Sequence, residues 1–275
     1  MMAAGDVDDA LVAALRREGL DTVEGAFAYA GGHDMTVPGL GHRQRWALTL
    51  TDAAGRQRQL FMKRYEREPL RWRLRRVWTY GLRSGSPAAV ELGNIRGLLA
   101  AEVPTISAAV AGHERGRSYI VLEAVPGEAL EQAAELFLDR HGVDGEAAAR
   151  LTQRLAALVR RFHGAGYVHR DLYASHVFLA EERGELELRL IDLARAFRPR
   201  WRRFRWRVKD LAGVKYSMPR AWVAAHWAAF LGAYLGGDAP GRARLERAID
   251  RKVAFIAWHA ARKRRRKARA QETTG

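Results

Sequence analysis

Asp171 and Asp192 are the residues of this chain best suited to chemistry, and the chemistry they suit is phosphoryl transfer. Residues 169–176 read His169-Arg170-Asp171-Leu172-Tyr173-Ala174-Ser175-His176, and further on comes Ile191-Asp192-Leu193. Moving a phosphoryl group asks little covalent work of a protein. One carboxylate meets the acceptor hydroxyl, and another holds the magnesium that bridges the nucleotide phosphates. Short strands over 177–179 and 186–191, joined by the turn Glu182-Arg183-Gly184-Glu185, are expected to bring both acids to one cleft mouth. A His-Arg-Asp tripeptide alone could arise by chance in so arginine-rich a chain. The second aspartate, closing an apolar strand, makes chance the weaker account.

The nucleotide side falls earlier in the chain. Phe61-Met62-Lys63-Arg64-Tyr65 alternates as a strand does, with Leu60, Met62 and Arg64 on one face and Phe61, Lys63 and Tyr65 on the other. Lys63 is then placed to grip the α- and β-phosphates, although an ordinary solvated lysine would fit the composition too. A strand over 45–51 precedes it, and Asp52-Ala53-Ala54-Gly55 reads as the hairpin turn between the two. Ahead of these, Val37-Pro38-Gly39-Leu40-Gly41-His42 is a candidate phosphate loop. Gly39 and Gly41 would let backbone N–H groups approach anionic oxygens, though a plain hairpin turn reads as well. Tyr119-Ile120-Val121-Leu122-Glu123-Ala124-Val125 reads as an edge strand running into a hinge at Pro126-Gly127. Backbone groups of Glu123 and Val125 are the candidates to meet the adenine.

The remaining elements follow from periodicity. A short amphipathic helix starts near residue 8, within an extension covering 1–24. Strands near 25–37, 45–51, 58–65, 105–111 and 117–123, with a helix over 87–101 that carries Glu91, make a smaller unit over 25–125. A helix over 146–165 has Leu151, Leu155, Leu158 and Phe162 at helical spacing and delivers the chain to His169. Helices near 207–217, 219–235 and 241–268 complete a larger unit over 126–260, and 261–275 form a basic tail. Between Lys63 and Glu91 lies a basic insert, a candidate acceptor-binding flap or membrane contact.

The motifs resemble protein kinases with two departures: His176 stands where their loop has Asn, and Asp192-Leu193-Ala194 replaces Asp-Phe-Gly. The variant resembles more closely the bacterial lipopolysaccharide core heptose kinases and Kdo kinases. Their loop is similar to His-Arg-Asp-Leu-Tyr-x-x-His, and their metal motif to Ile-Asp-Leu-x-Arg, with Arg195 in the last place. Glu91-Leu92-Gly93-Asn94-Ile95-Arg96, Val103-Pro104-Thr105, and the stretch from Arg205 through Asp210 to Ser217 are similar to the family as well. The resemblance implies an α+β, two-lobed protein-kinase-like fold, with a small antiparallel-sheet lobe bearing one helix and a larger, mainly helical lobe. It implies a Lys63–Glu91 ion pair, Asp171 as the carboxylate that takes the acceptor proton, and Asp192 on the metal. Arg170 would tether the loop, and Asp210 would receive its backbone N–H groups. Imidazole suits magnesium poorly, so His176 would hold manganese or hydrogen-bond Asp171 or a phosphate. The implied cofactors are ATP and Mg2+, or Mn2+, and the implied acceptor is a sugar hydroxyl of the lipopolysaccharide inner core.

Composition bounds the rest. The 275 residues, 48% hydrophobic, suffice for an ample core, and the absence of cysteine excludes disulfides and thiolate metal sites. The first residues lack the apolar run of a signal peptide. Residues 221–236 are apolar but shorter than the roughly 20 needed to span a bilayer, and His226 sits among them as a core histidine. A net charge of +16 clusters over 64–76 and just beyond (with Trp72 and Trp78), 198–209 (with Trp201, Phe204 and Trp206) and 262–269. Arginine beside tryptophan suits an anionic membrane surface or an anionic saccharide, and lipopolysaccharide is both; nucleic acid is set aside. The location this implies is cytoplasmic, peripheral at the inner membrane. Two rivals stand beside the sugar kinase. A protein serine/threonine kinase would need room for an activation segment, yet only 18 positions separate Asp192 from Asp210, and 198–207 hold no Ser, Thr or Tyr. A binding protein on a decayed kinase scaffold would not need Lys63, Asp171 and Asp192 together.

Overall fold

The computed structural model describes residues 8–36, 42–81, 85–237 and 240–272. The chain divides into two compact units, one formed by residues 1–126 with 189–197, the other by 127–188 with 198–275.

In the first unit, α1 (Asp9–Arg17) starts at Asp8, whose carboxylate accepts from the Ala10 N–H. A short α2 (Val23–Ala28) follows, capped by Thr22. The sheet comprises β1 (His33–Asp34), β2 (Arg43–Thr51), β3 (Gln57–Tyr65), β4 (Ala108–Glu114) and β5 (Arg117–Glu123), in antiparallel order β1-β2-β3-β5-β4. Leu48, Leu50, Leu60, Met62, Tyr119 and Val121 bury one face of it against Leu11, Leu15 and Leu20. α4 (Pro87–Leu99) buries Leu92, Ile95 and Leu98 and packs on β3, β4 and β5.

Three expectations are corrected here. The strand expected over 25–37 is instead α2 followed by the two-residue β1; the Thr22 hydroxyl oxygen accepts from the Gly25 N–H and caps a helical turn there. The strand expected from residue 105 starts at Ala108. β5 is not an edge strand, for it pairs with β3 on one side and β4 on the other. Its run of fully buried residues, Ser118 to Leu122, is what a strand flanked on both sides should show. The basic insert also contains a helix not foreseen, α3 (Leu70–Tyr80).

The hairpin turn between β2 and β3 is built by one side chain. Asp52 Oδ1 accepts from the N–H groups of Ala54 and Arg56, both at 2.9 Å, and Oδ2 from Arg56 Nε at 2.9 Å. Burial of the carboxyl pushes its pKa up, but hydrogen bonds from the Arg56 and Ala54 amides and the Arg56 side chain outweigh this and hold it below the usual carboxylate range. A lowered folded pKa contributes stability that is present above the unfolded value, about 3.9, and is lost as pH falls through the folded one. Asp52→Asn is therefore expected to melt several degrees below the parent at neutral pH. The gap should close on acidification below that window; thermal melts across pH read it, and a gap independent of pH would contradict it.

The second unit opens with β6 (Glu128–Ala129), paired to β7 (Val177–Glu182) through Glu128–Leu179 and Ala129–Phe178. Gly127 makes the approach possible. Its φ is +85°, and a Cβ there would lie 2.0 Å from the Leu179 carbonyl oxygen. α5 (Leu130–His141), unforeseen in the sequence, and α6 (Glu146–Gly164) follow. β7 and β8 (Glu185–Leu190) form the anticipated hairpin. α7 (Arg203–Ser217), α8 (Arg220–Leu235) and α9 (Arg242–Glu272) complete the chain. Leu151, Leu155 and Phe162 of α6 are fully buried, and Trp222 of α8 donates its indole N–H to Thr152 at 3.0 Å. His226 is buried and bonded to the Val143 carbonyl at 2.6 Å, as a core histidine should be. Among the described residues, no helix is long and apolar enough to cross a membrane.

Candidate active site

The alternation of β3 turns Lys63 away from the α1 core. Leu60, Met62 and Arg64 bury one face, and Lys63 and Tyr65 lie on the other. Arg64 is itself a core residue: its guanidinium donates to the Tyr29 carbonyl and lies 4.6 Å from the centre of the Trp46 ring. Burial holds its pKa below the ordinary arginine value.

α4 sets the partner of Lys63. Ser86 caps the helix by accepting from the Ala89 N–H at 3.2 Å, with Pro87 in the first turn where its missing N–H costs nothing. Glu91 follows one turn later, fully buried, and takes Lys63 Nζ at 2.5 Å. Its other oxygen accepts from the Tyr65 hydroxyl at 3.3 Å. Burial and the adjacent Glu91 charge push the Tyr65 phenol well above its usual pKa, so it stays a donor. Lys63 Nζ also lies 2.9 Å from Asp192 Oδ1.

Asp192 sits at a left-handed position, φ +53°, that a non-glycine residue holds only under constraint. Asn94, one turn beyond Glu91 on the same helix face, supplies much of it. Its Nδ2 donates to the Leu193 carbonyl at 2.9 Å and the Ala196 carbonyl at 2.7 Å, clamping the turn that follows Asp192. The Leu190 carbonyl accepts from the Ile106 N–H at 3.0 Å and the Thr105 hydroxyl at 2.7 Å, fixing the strand before it. Arg43 reaches Asp192 Oδ1 at 3.4 Å, and Arg45 lies 3.9 Å from Oδ2. Burial would lower the Arg43 pKa, but Tyr65, Asp192 and Glu91 together raise it. Three cations thus surround two carboxylates. The excess positive charge suits phosphate oxygens, while the Asp192 carboxylate remains one quarter exposed.

In the second unit, α6 ends at Gly164 and buried Tyr167 and Val168 lead to His169. Asp210 of α7, fully buried, accepts from the His169 N–H at 2.7 Å and the Arg170 N–H at 2.8 Å. His163 Nε2, 3.3 Å from the same carboxylate, must carry the proton, because the carboxylate only accepts; Nδ1 then accepts from Tyr234, 2.9 Å away. Burial pushes the Tyr234 phenol up to about 12. Arg170 stands at φ +73°, with its carbonyl held by Lys209 and its guanidinium 5.7 Å over the Trp206 ring. Lys209 Nζ lies 3.4 Å from Asp171 Oδ1. The Asp171 carbonyl accepts from the Tyr173 N–H at 3.0 Å and from His176 Nδ1 at 2.7 Å, so that imidazole nitrogen bears its proton. The His176 ring stacks on His169 at 5.4 Å. Ser217 accepts from the Ala174 N–H at 2.7 Å, and Gly213 lets α7 approach the Leu172 carbonyl, where a Cβ would sit 2.3 Å away.

Lys63, Glu91 and Asp192 therefore meet in one unit, while Asp171, Arg170 and His176 share a loop of the other. Glu123 closes β5 with its N–H on the Ser107 carbonyl and its carboxylate on Arg58, and Val125 follows two residues later, before Pro126. Gly39 and Gly41 lie outside the described residues. Among those described, no group of three His, Cys, Asp or Glu could cage a metal ion. A nucleotide-borne magnesium ion takes one or two carboxylates and completes its shell with phosphate oxygens and water, and partly exposed Asp192 has the chemistry for that part. Sequence reasoning missed Arg43, Arg45, Asn94, Lys209 and Ser217. Asn94, Lys209 and Ser217 fell within stretches that resemble the family, and Asn94 also sits three places after Glu91.

The chain compares with known proteins as follows. Over 72 residues it is 44% identical to the lipopolysaccharide core heptose(I) kinase WaaP of Escherichia coli and 43% identical to that of Escherichia coli strain K12. The matched stretch is 24% of this chain and spans only 27% of the length of either relative. A solved structure described as WaaP in complex with acyl carrier protein superposes with a TM-score of 0.59 at 24% identity, over 91% of this chain and 95% of that one. That likeness speaks to the fold, which is α+β and protein-kinase-like. Residues 41–234, more than half of the chain, match the model of a known family. The chain belongs to the lipopolysaccharide kinase (Kdo/WaaP) family.

Proposed function

We propose that the protein transfers the γ-phosphate of ATP to a hydroxyl of an inner-core sugar of lipopolysaccharide, a heptose or Kdo, at the cytoplasmic face of the inner membrane. The observation that carries the reading is Lys63, held between fully buried Glu91 and partly exposed Asp192. An ammonium fixed by two carboxylates, with Arg43 and Arg45 alongside, is poised for the α- and β-phosphates. Family membership supports the same reading.

Each residue then has one task. Lys63, with Arg43, neutralises phosphate oxygens, and Glu91 fixes where Lys63 points. The Glu123 carbonyl and the Val125 N–H serve the adenine, and Gly39 and Gly41 the phosphates. Asp192 would hold a magnesium ion, which when bound would supply Lewis-acid stabilisation of the negative charge on the phosphate oxygens. Asp171 orients the sugar hydroxyl and accepts its proton as the phosphorus–oxygen bond forms. Lys209 and His176 hold Asp171 to that hydroxyl, through its carboxylate and its carbonyl respectively, and Arg170 supports the loop through Trp206. His176 acts in this reading as a positioning residue, through its Nδ1 bond to the Asp171 carbonyl.

The deciding experiment is an acceptor panel. With γ-labelled ATP and magnesium, label should pass to lipopolysaccharide core or Kdo and not to casein. Label on casein alone would establish a protein kinase instead. No transfer to any acceptor, with ATP still bound, would leave a binding protein on a kinase scaffold.

A further inference from the structure

α3 buries none of its residues. Leu70 is 68% exposed, Leu74 61% and Trp78 86%, far more than large apolar side chains show without a partner. The three stand four residues apart and form one row along the helix. Arg71, Arg73 and Arg75 lie between them, and the helix has no acidic residue. Arg75 is exposed and its guanidinium lies 5.7 Å over the Trp72 ring. The helix is nonetheless fixed in place by other residues. Arg76 is paired with Glu68 at 2.8 Å, the Tyr80 hydroxyl donates to the Ala194 carbonyl at 3.4 Å, and its ring packs edge-on against Phe197. The protein thus anchors one side of α3 and turns a leucine–tryptophan row away from itself.

We propose that α3 lies in the surface of an anionic bilayer, with Leu70, Leu74 and Trp78 at the boundary between headgroups and acyl chains and Arg71, Arg73 and Arg75 at lipid phosphates. Helices that lie in an interface combine these residues: leucine and tryptophan at the apolar boundary, flanking arginines that reach lipid phosphates, and that attraction adding to apolar burial. Aliphatic leucines gain nothing against a sugar, which favours lipid over the acceptor's saccharide. A second copy of the chain is disfavoured because each carries +16. Eleven residues make a helix only about 16 Å long, so binding should depend on anionic lipid and weaken with salt. The assignment deepens the membrane-face placement proposed above and is independent of phosphate transfer.

The chain has no cysteine, so a dye at Leu74→Cys is unique. Its emission should shift to the blue with phosphatidylcholine–phosphatidylglycerol vesicles and not with phosphatidylcholine alone. The same dye at Gln153→Cys, on an exposed position of α6, should not respond. Leu74→Glu with Trp78→Glu should lower the vesicle-bound fraction about tenfold, since burial of both side chains is lost. Melting and ATP affinity should stay at parental values. If the double variant binds vesicles as the parent does, α3 is not the contact though the membrane placement stands. A parent chain that ignores anionic vesicles overturns both. A dye response to lipid-free core oligosaccharide, or to acyl carrier protein, in place of vesicles overturns the lipid assignment in favour of that partner.

Discussion

Asp171→Ala should lower phosphate transfer by roughly 10²–10⁴-fold, the usual contribution of a positioned general base, and leave ATP affinity within about twofold of the parent. Asp171 belongs to the second unit and the Lys63 cluster to the first, which is the basis for expecting binding to survive. Asp192→Ala should also abolish transfer but with a different binding signature. Removing that carboxylate leaves Lys63, Arg43 and Arg45 facing Glu91 alone, so metal-free ATP should bind at least as well as before. What should disappear is the gain in affinity on adding magnesium. Calorimetric titrations with magnesium and with EDTA separate the two variants. A full magnesium effect in Asp192→Ala would remove that residue from the metal, and parental turnover in Asp171→Ala would remove the base.

Asp210→Ala is expected to destabilise the second unit by about 3–5 kcal/mol. The N–H groups of His169 and Arg170 would lose the Asp210 carboxylate as acceptor, and the His163 Nε2 proton would lose its partner, each at about 1–3 kcal/mol. Against a typical total of about 5–15 kcal/mol this is a large share, equivalent to a drop of about 10 °C in melting temperature. Arg170 holds a left-handed conformation that these bonds enforce, so the loop should relax and carry Asp171 with it. Transfer should fall at a temperature where the variant is still folded, while ATP affinity holds. Asp210→Asn should retain one amide contact and lie between. An unchanged melting curve in Asp210→Ala would mean the loop is held by other bonds.

The candidate residues Lys63, Asp171 and Asp192 were picked out because their patterns are local. His-Arg-Asp-Leu, Ile-Asp-Leu and the strand lysine are short patterns whose meaning depends on a few neighbours, and the Asp210 contact followed from the family resemblance. The groups that hold them were not legible. Arg43 and Arg45 look like any two of the chain's 47 lysines and arginines until β2 pairs with β3 and sets Arg45 opposite Lys63. Lys209 and Ser217 act only because α7 lies against the loop. α2 was misread as strand because its alternating small and aromatic residues suit either period, and the Thr22 cap decided it. α3 gave no amphipathic signal toward a core, since its apolar residues face outward.

Residues 189–197, which carry Asp192, lie late in the chain yet fold with its first 126 residues. A fragment ending at Pro126 would therefore lack the partners of Thr105 and Asn94 and the carboxylate that shares Lys63. The first unit of this protein cannot be cut out as a module: it is completed only by a return of the backbone from beyond the 169–176 loop, so gene truncation or domain shuffling at residue 126 would remove the carboxylate that shares Lys63 and, with it, part of the phosphate site proposed above.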